Sequence, residues 1–231
     1  MKKIFFTNFF CFCYLLFATS FSIPVINAGD EKVAVTTDPQ TARIYVNGVQ
    51  TGTGSVVVTV GKNDCVKVEV KQEGYIQELR TYCNKKGMTK PPNSDYIQLQ
   101  ADESYTSSTQ SDIANKDMLL SVKKGKSKEE AWRSVSTTIL NYFDAVETND
   151  EKLGYLRTSW VGQNFKSNTI RTRVIIKQSS EDPIAFKMKF LSEESGRYGT
   201  AYSADEQFRP FTRILKKYDG FYEELSTKLA N

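Results

Sequence analysis

Between Val33 and Leu99 the chain is written in short runs of alternating apolar and polar residues, each closed by turn chemistry, and that pattern admits few folds. Val33-Ala34-Val35 ends at Asp38-Pro39. Arg43-Ile44-Tyr45-Val46 runs into Asn47-Gly48, the strongest short hairpin signal. Val56 to Val60 closes at Gly61-Lys62-Asn63-Asp64. Val66-Lys67-Val68-Glu69-Val70 alternates strictly, a turn follows around Glu73-Gly74-Tyr75, and Ile76 to Tyr82 and Tyr96 to Leu99 complete the set. The spacing predicts a small antiparallel β-sandwich over residues 29–100.

Two cysteines, Cys65 and Cys83, fall inside this region. If Val66–Val70 and Ile76–Tyr82 are the arms of a hairpin centred on Gly74, opposed residues have numbers summing to twice 74. Cys65 and Cys83 meet that sum and should face each other within disulfide reach. A longer turn, displaced by one residue, would take them out of register and leave two free thiols.

The first 28 residues have the composition of a secretory signal. Lys2 and Lys3 precede an apolar stretch from Ile4 to Ile26, a small-residue exit at Ile26-Asn27-Ala28 follows, and Gly29-Asp30-Glu31 turns polar. Thr7, Asn8, Thr19, Ser20, Ser22 and Pro24 interrupt the stretch, which argues against a spanning helix of about 20 apolar residues. Cys11 and Cys13 are flanked by aromatic residues, unlike a lipid-modified cysteine. The expectation is cleavage near Ala28 and a mature chain without an integral membrane segment, in the periplasm or at the cell surface, where disulfides form. Without Lys2 and Lys3 the net charge of +4 becomes +2, too little to expect nucleic acid as the partner.

Residues Asp38 to Gly48, then Gly52, Gly61 and Gly74-Tyr75, resemble a PEGA domain, a small β-fold of bacterial and archaeal envelope and surface proteins. Gln40-Thr41 stands where that family has Glu-Gly. The resemblance implies a binding or spacing module and carries no active site.

Residues 101–126 change character. Ala101 to Ser111 is rich in Ser and Thr, the composition of a linker, and Lys123-Lys124-Gly125-Lys126-Ser127-Lys128 is a basic run that reads as a solvated approach to a helix, with a nucleic-acid or anionic-lipid contact as the alternative. Over 127–231, Ser127 with Glu130 forms a capping box ahead of Trp132, Val135, Ile139, Tyr142 and Phe143 at helical spacing. Strand-like runs follow at Tyr155–Val161, Thr169–Lys177 and Ile184–Leu191. Ser203 with Glu206 then predicts a second, long helix through Leu229, kinked or delayed by Pro210. The whole is α+β: the sandwich, then a helix-grip-like domain of helix, three or more antiparallel strands and long helix. Ala131-Trp132, Leu153 to Trp160 and Arg171 to Ile176 resemble the helix-grip domains of the BamC outer-membrane assembly lipoprotein, whose lipid-anchor cysteine is missing here.

The chain contains no histidine, which removes the commonest general base and metal ligand. The acid pairs Glu129-Glu130, Glu181-Asp182, Glu193-Glu194 and Glu223-Glu224 fall in a helix's first turn, in two expected turns and on a helix surface. No catalytic residue, metal ligand or cofactor is expected. The candidate site is one face of the second sheet. Alternation puts Ile170, Thr172, Val174, Ile176, Phe186, Met188 and Phe190 under the helices, and leaves Arg157, Arg171, Arg173, Lys177, Lys187 and Lys189 on the opposite face. Such a face is either an ordinary solvated one or a docking surface for an anionic partner. The expected function is a non-enzymatic cell-envelope adaptor or scaffold that binds an envelope protein or the cell-wall glycan. The alternatives are a surface carbohydrate-binding module, with Tyr45, Tyr75 and Tyr82 as sugar platforms, and an enzyme subunit of unknown type.

Overall fold

The structure, a computed structural model, describes residues 29–231. Residues 1–28, with the expected leader and Cys11 and Cys13, lie outside the described residues. The fold is α+β, built as two seven-stranded sheets with separate cores and a small two-stranded one.

The first sheet takes β1 (Glu31–Asp38), β2 (Arg43–Val46), β3 (Val49–Thr53), β4 (Ser55–Val60), β5 (Cys65–Lys71), β6 (Glu78–Cys83) and β7 (Ser94–Gln98) in the order β6-β5-β2-β3-β4-β1-β7. β3 and β4 pair only through Thr53 and Ser55, so the sheet folds there into two leaves that share one core of Val33, Val35, Ile44, Val58, Val68, Val70 and Ile97. Its free edges meet where the Tyr82 hydroxyl donates to Asp95 Oδ2 at 2.7 Å. The expected sandwich is therefore present with one departure: β7 runs parallel to β1, because the chain crosses to the other leaf after β6. Asn47 and Gly48, both at positive φ, form the two-residue turn between β2 and β3.

Gly54 makes the fold between leaves possible. Its φ is +72°, and a Cβ there would run into the Gln40 carbonyl oxygen, a backbone atom that cannot swing aside. Gly54→Ala is expected to destabilise the protein by about 2 kcal/mol, from left-handed strain plus that overlap, as read by thermal melting.

The second sheet is antiparallel and centred on two long strands. β10 (Val146–Asp150), β11 (Tyr155–Thr158), β13 (Asn168–Glu181) and β14 (Ile184–Glu194) lie side by side. β12 (Val161–Phe165) pairs with β13 below β11, while β9 (Asp117–Ser121) and β15 (Arg209–Pro210) share the outer edge of β14. One face is covered by α2 (Lys128–Tyr142) and α3 (Phe221–Ala230). Trp132 packs on Phe186 at 5.7 Å between centroids, and Phe143 stacks on Tyr218 at 5.0 Å in a cluster with Phe190 and Phe221. The Ser127–Glu130 capping box starts α2 with both reciprocal bonds formed.

Three expectations are corrected. The first concerns 101–126, which is no structureless linker. It holds α1 (Glu103–Thr106), β8 (Ser108–Gln110) and β9; β8 pairs with β16 (Arg213–Leu215). Its hydroxyls are used locally: Ser104 and Ser108 donate to Asp102 Oδ1 and the Ser104 carbonyl, both at 2.7 Å. The second concerns Ser203 and Glu206, which start no long helix. Residues 205–207 form a single 3₁₀ turn, Pro210 sits in a strand opposite Glu193, and α3 begins only after Gly220. Proline has no N–H for a helix ladder but is tolerated on an edge strand. The third concerns Glu193 and Glu194, which lie on β14 and hold arginines instead of making a turn.

The basic run at 123–128 has a structural use. Lys123 and Lys126 donate to the carbonyls of Asn231 and Lys228 at the end of α3, and Lys128 donates to that of Lys152. Cations at a helix C-terminus satisfy its unpaired carbonyls and complement the dipole.

Candidate binding surfaces

Alternation along β13 and β14 works as the sequence suggests on the covered face, where Ile170, Thr172, Val174, Ile176, Phe186, Met188 and Phe190 are buried. The face turned away from the helices needs revision residue by residue.

Arg171 leaves the candidate set. It lies on the expected face but only 3% of its side chain is exposed, because residues 196–210 fold over it as a strap. Its guanidinium is sandwiched between the rings of Trp160 and Phe208, at 4.0 and 4.1 Å. It also bonds Glu193 Oε2 at 2.5 Å, Asp205 Oδ1 at 2.7 Å and the Tyr202 carbonyl at 2.5 Å. It is a rivet for the strap, and no ligand reaches it. The Tyr202 ring lies where a Cβ on Gly162 would be, so the strap's path needs glycine on β12.

Arg173 continues the stack on the other side, 4.1 Å over Trp160. Burial first, then the neighbouring Arg157, holds its guanidinium below the ordinary arginine value. Arg157 donates to Glu147 Oε1 at 2.7 Å, and Glu147 lies 4.0 Å from Arg173 as well. These two arginines are therefore half-buried and share one carboxylate.

The lysines are different. The β13–β14 register sets Lys177 directly opposite Lys187, and Ile175 opposite both Lys189 and Arg157. Lys177 rests 5.9 Å over the Tyr155 ring, Lys189 stands 3.9 Å from Asp117, and Lys187 has no ion-pair partner among the described residues. Apolar side chains lie among them: Ile175, Leu191 opposite Arg173, and Leu119 opposite Lys187 on β9, 58% exposed. The open face thus keeps Arg157, Arg173, Lys177, Lys187 and Lys189 of the six expected cations, with its unpaired charge at the lysine end.

Of the three tyrosines considered as sugar platforms, Tyr82 is excluded. It is buried in the first core, and burial, with the hydrogen bond to Asp95 second, pushes its hydroxyl well above the ordinary phenol value. Tyr45 and Tyr75 are accessible, and both line a cleft of about 770 Å³ between the two domains. Local pattern alone could not assemble this cleft, whose far wall comes from Ser167, Asn168, Glu194 and Arg209.

The junction that sets the cleft is built on Tyr105. Its hydroxyl donates to Glu73 Oε1 at 2.8 Å, and its ring packs against Gly74. From the other side the Arg213 guanidinium lies 3.8 Å over the same ring and donates to the carbonyls of Tyr105 and Ser108. Backbone bonds from Asp102 N–H to the Gly74 carbonyl and from Ile76 N–H to the Gln100 carbonyl, both 2.8 Å, bind the connection to the first domain.

Residues 31–87 match the PEGA domain model. That match covers β1 to β6, about a quarter of the chain, and stops before β7 and everything beyond it. No curated protein matches the chain. Cys65 and Cys83 are disulfide-bonded, and among the described residues no helix is long and apolar enough to cross a membrane.

Proposed function

We propose that this chain is an exported, non-enzymatic adaptor of the cell envelope, and that its second domain docks an acidic protein partner on the open face of the sheet. The observation that carries this reading is the Lys177–Lys187 pair. Like charges directly opposite in an antiparallel ladder disfavour the sheet, and nothing in the described chain neutralises Lys187. A carboxylate-bearing partner would relieve that repulsion. Ile175, Leu191 and Leu119 among the cations favour a protein over a hydrophilic polymer, since protein interfaces bury apolar area inside a polar rim. Export is supported by the leader's composition, the disulfide and the PEGA match, and the BamC resemblance of the second domain fits an envelope role. The absence of histidine and the engagement of Glu193, Glu194 and Glu224 in ion pairs support a binding role over catalysis.

The test is a pull-down from envelope extract with the mature chain and with the Lys177→Glu, Lys187→Glu double variant. The wild type is expected to retain a partner that 0.5 M salt releases, because exposed charge pairs are screened. The double variant should lose that partner while its melting temperature stays nearly constant, as expected for surface substitutions worth about 0.5 kcal/mol. A partner captured equally by both proteins would reduce this face to an ordinary solvated one.

A further inference from the structure

We propose that the cleft between the two domains is a second binding site, separate from the lysine face, and that it takes an extended oligosaccharide. The argument starts from what its walls leave unused. Each of the three carboxylates there already accepts a hydrogen bond. Glu73 accepts from the Tyr105 hydroxyl at 2.8 Å, Asp102 caps α1 through Ser104 N–H at 2.9 Å, and Glu194 accepts from Asn168 at 2.9 Å and Arg209 at 3.2 Å. The Arg43 guanidinium, the amides of Gln72 and Gln77, and the hydroxyls of Tyr45 and Tyr75 make no side-chain hydrogen bond or ion pair among the described residues. The site thus offers planar donors and amide acceptors around two aromatic rings, with its acids already drawn into local hydrogen bonds.

That combination fits a sugar better than the other ligand classes. A metal would find no cluster of three ligating side chains here among the described residues. Pockets for drug-like or cofactor ligands are lined mainly by apolar side chains; here Ile76 is the one aliphatic residue in the wall. A peptide adding to a strand edge would need free backbone groups, but the Ile76 N–H is already bonded to the Gln100 carbonyl. A sugar ring carries an apolar C–H face and a rim of hydroxyls. Tyr45 and Tyr75 can take the faces, as rigid amphipathic anchors do, while Arg43, Gln72 and Gln77 take the hydroxyls. Tyr45 is already oriented by Lys71, 5.2 Å over its ring. Its volume of about 770 Å³ lies in the range that takes drug-sized ligands, so a chain longer than one sugar fits. The Tyr105 junction presets the spacing of the two walls, which lowers the ordering cost on binding.

The experiment is calorimetric titration of the mature chain with an N-acetylglucosamine tetramer, beside a glucose tetramer and sedimentation with purified peptidoglycan. At least one saccharide is expected to bind. Tyr45→Ala and Tyr75→Ala should each weaken it about tenfold, the scale of one lost stacking contact. Both variants should remain folded and melt cooperatively, and Lys187→Glu should bind the saccharide normally. Preference for the acetylated tetramer and peptidoglycan identifies the wall glycan; preference for the glucose tetramer identifies another surface polysaccharide. Absence of binding to all three, or binding unchanged in both tyrosine variants, overturns the assignment.

Discussion

Replacing Arg171 with alanine is expected to destabilise the second domain by about 3 kcal/mol, the low end for removing one partner of a buried ion pair. The side chain is 3% exposed and Glu193 is 21% exposed, so the variant strands a largely desolvated carboxylate on β14. The Asp205 pair adds little to this figure, because Asp205 is 79% exposed and solvent screens it. Two aromatic faces lose their cation at the same time, and the Tyr202 carbonyl loses its donor. The melting temperature should fall by about 6–12 °C for a chain of this size. Because the same side chain pins residues 196–210, limited proteolysis of the variant should begin within that strap before the rest of the domain opens. Arg171→Lys should not rescue, since an ammonium cannot stack between two rings and reach Glu193, Asp205 and Tyr202 together. A variant that melts and resists protease like the wild type would show that the strap is held by something else.

Loss of the Cys65–Cys83 bond should cost the first domain a similar amount. The two residues face each other at the end of the β5–β6 hairpin with Cα atoms 4.1 Å apart. Their separation of 18 residues corresponds to about 3 kcal/mol in the chain-entropy model. That is a large share for a sandwich of some seventy residues with a mostly valine core. Intact mass of the native protein with and without reductant, after alkylation, should differ by two labels. Reduced protein, or the Cys65→Ser, Cys83→Ser double variant, should unfold at lower denaturant than the oxidised wild type. Two alkylatable thiols in unreduced native protein would refute the bond.

The hairpin was readable because both of its determinants are local. Gly74 sets a turn, strict alternation sets the face, and the residue sum then places Cys65 against Cys83. The same holds for Asn47-Gly48 and for the Ser127 capping box. The failures share a different cause. Phe208, Phe211 and Leu215 fall at helical spacing, yet each answers to a partner far away in sequence. Phe208 covers Arg171, Phe211 N–H bonds the Ser192 carbonyl, and Leu215 pairs with Ser108. Pro210 was the available signal against a helix there. The burial of Arg171 had no local signal, since the strap that covers it arrives some thirty residues later. The candidate site was accordingly legible in its face and its charge but not in which cations stay free. The cleft was legible only as two tyrosines, one on β2 and one in the turn after β5.

The Tyr105 wedge has a consequence for how two bound objects would be arranged. A flexible tether lets each module search independently, and simultaneous engagement then depends on tether length. Here one ring is gripped by Glu73 and Gly74 on one side and by Arg213 on the other, with backbone bonds flanking it. Anything held in the cleft and anything docked on the lysine face would keep a set distance and angle. A chain so built would work as a caliper, and Tyr105→Phe, which removes the bond to Glu73, would loosen the angle it sets before it altered either grip.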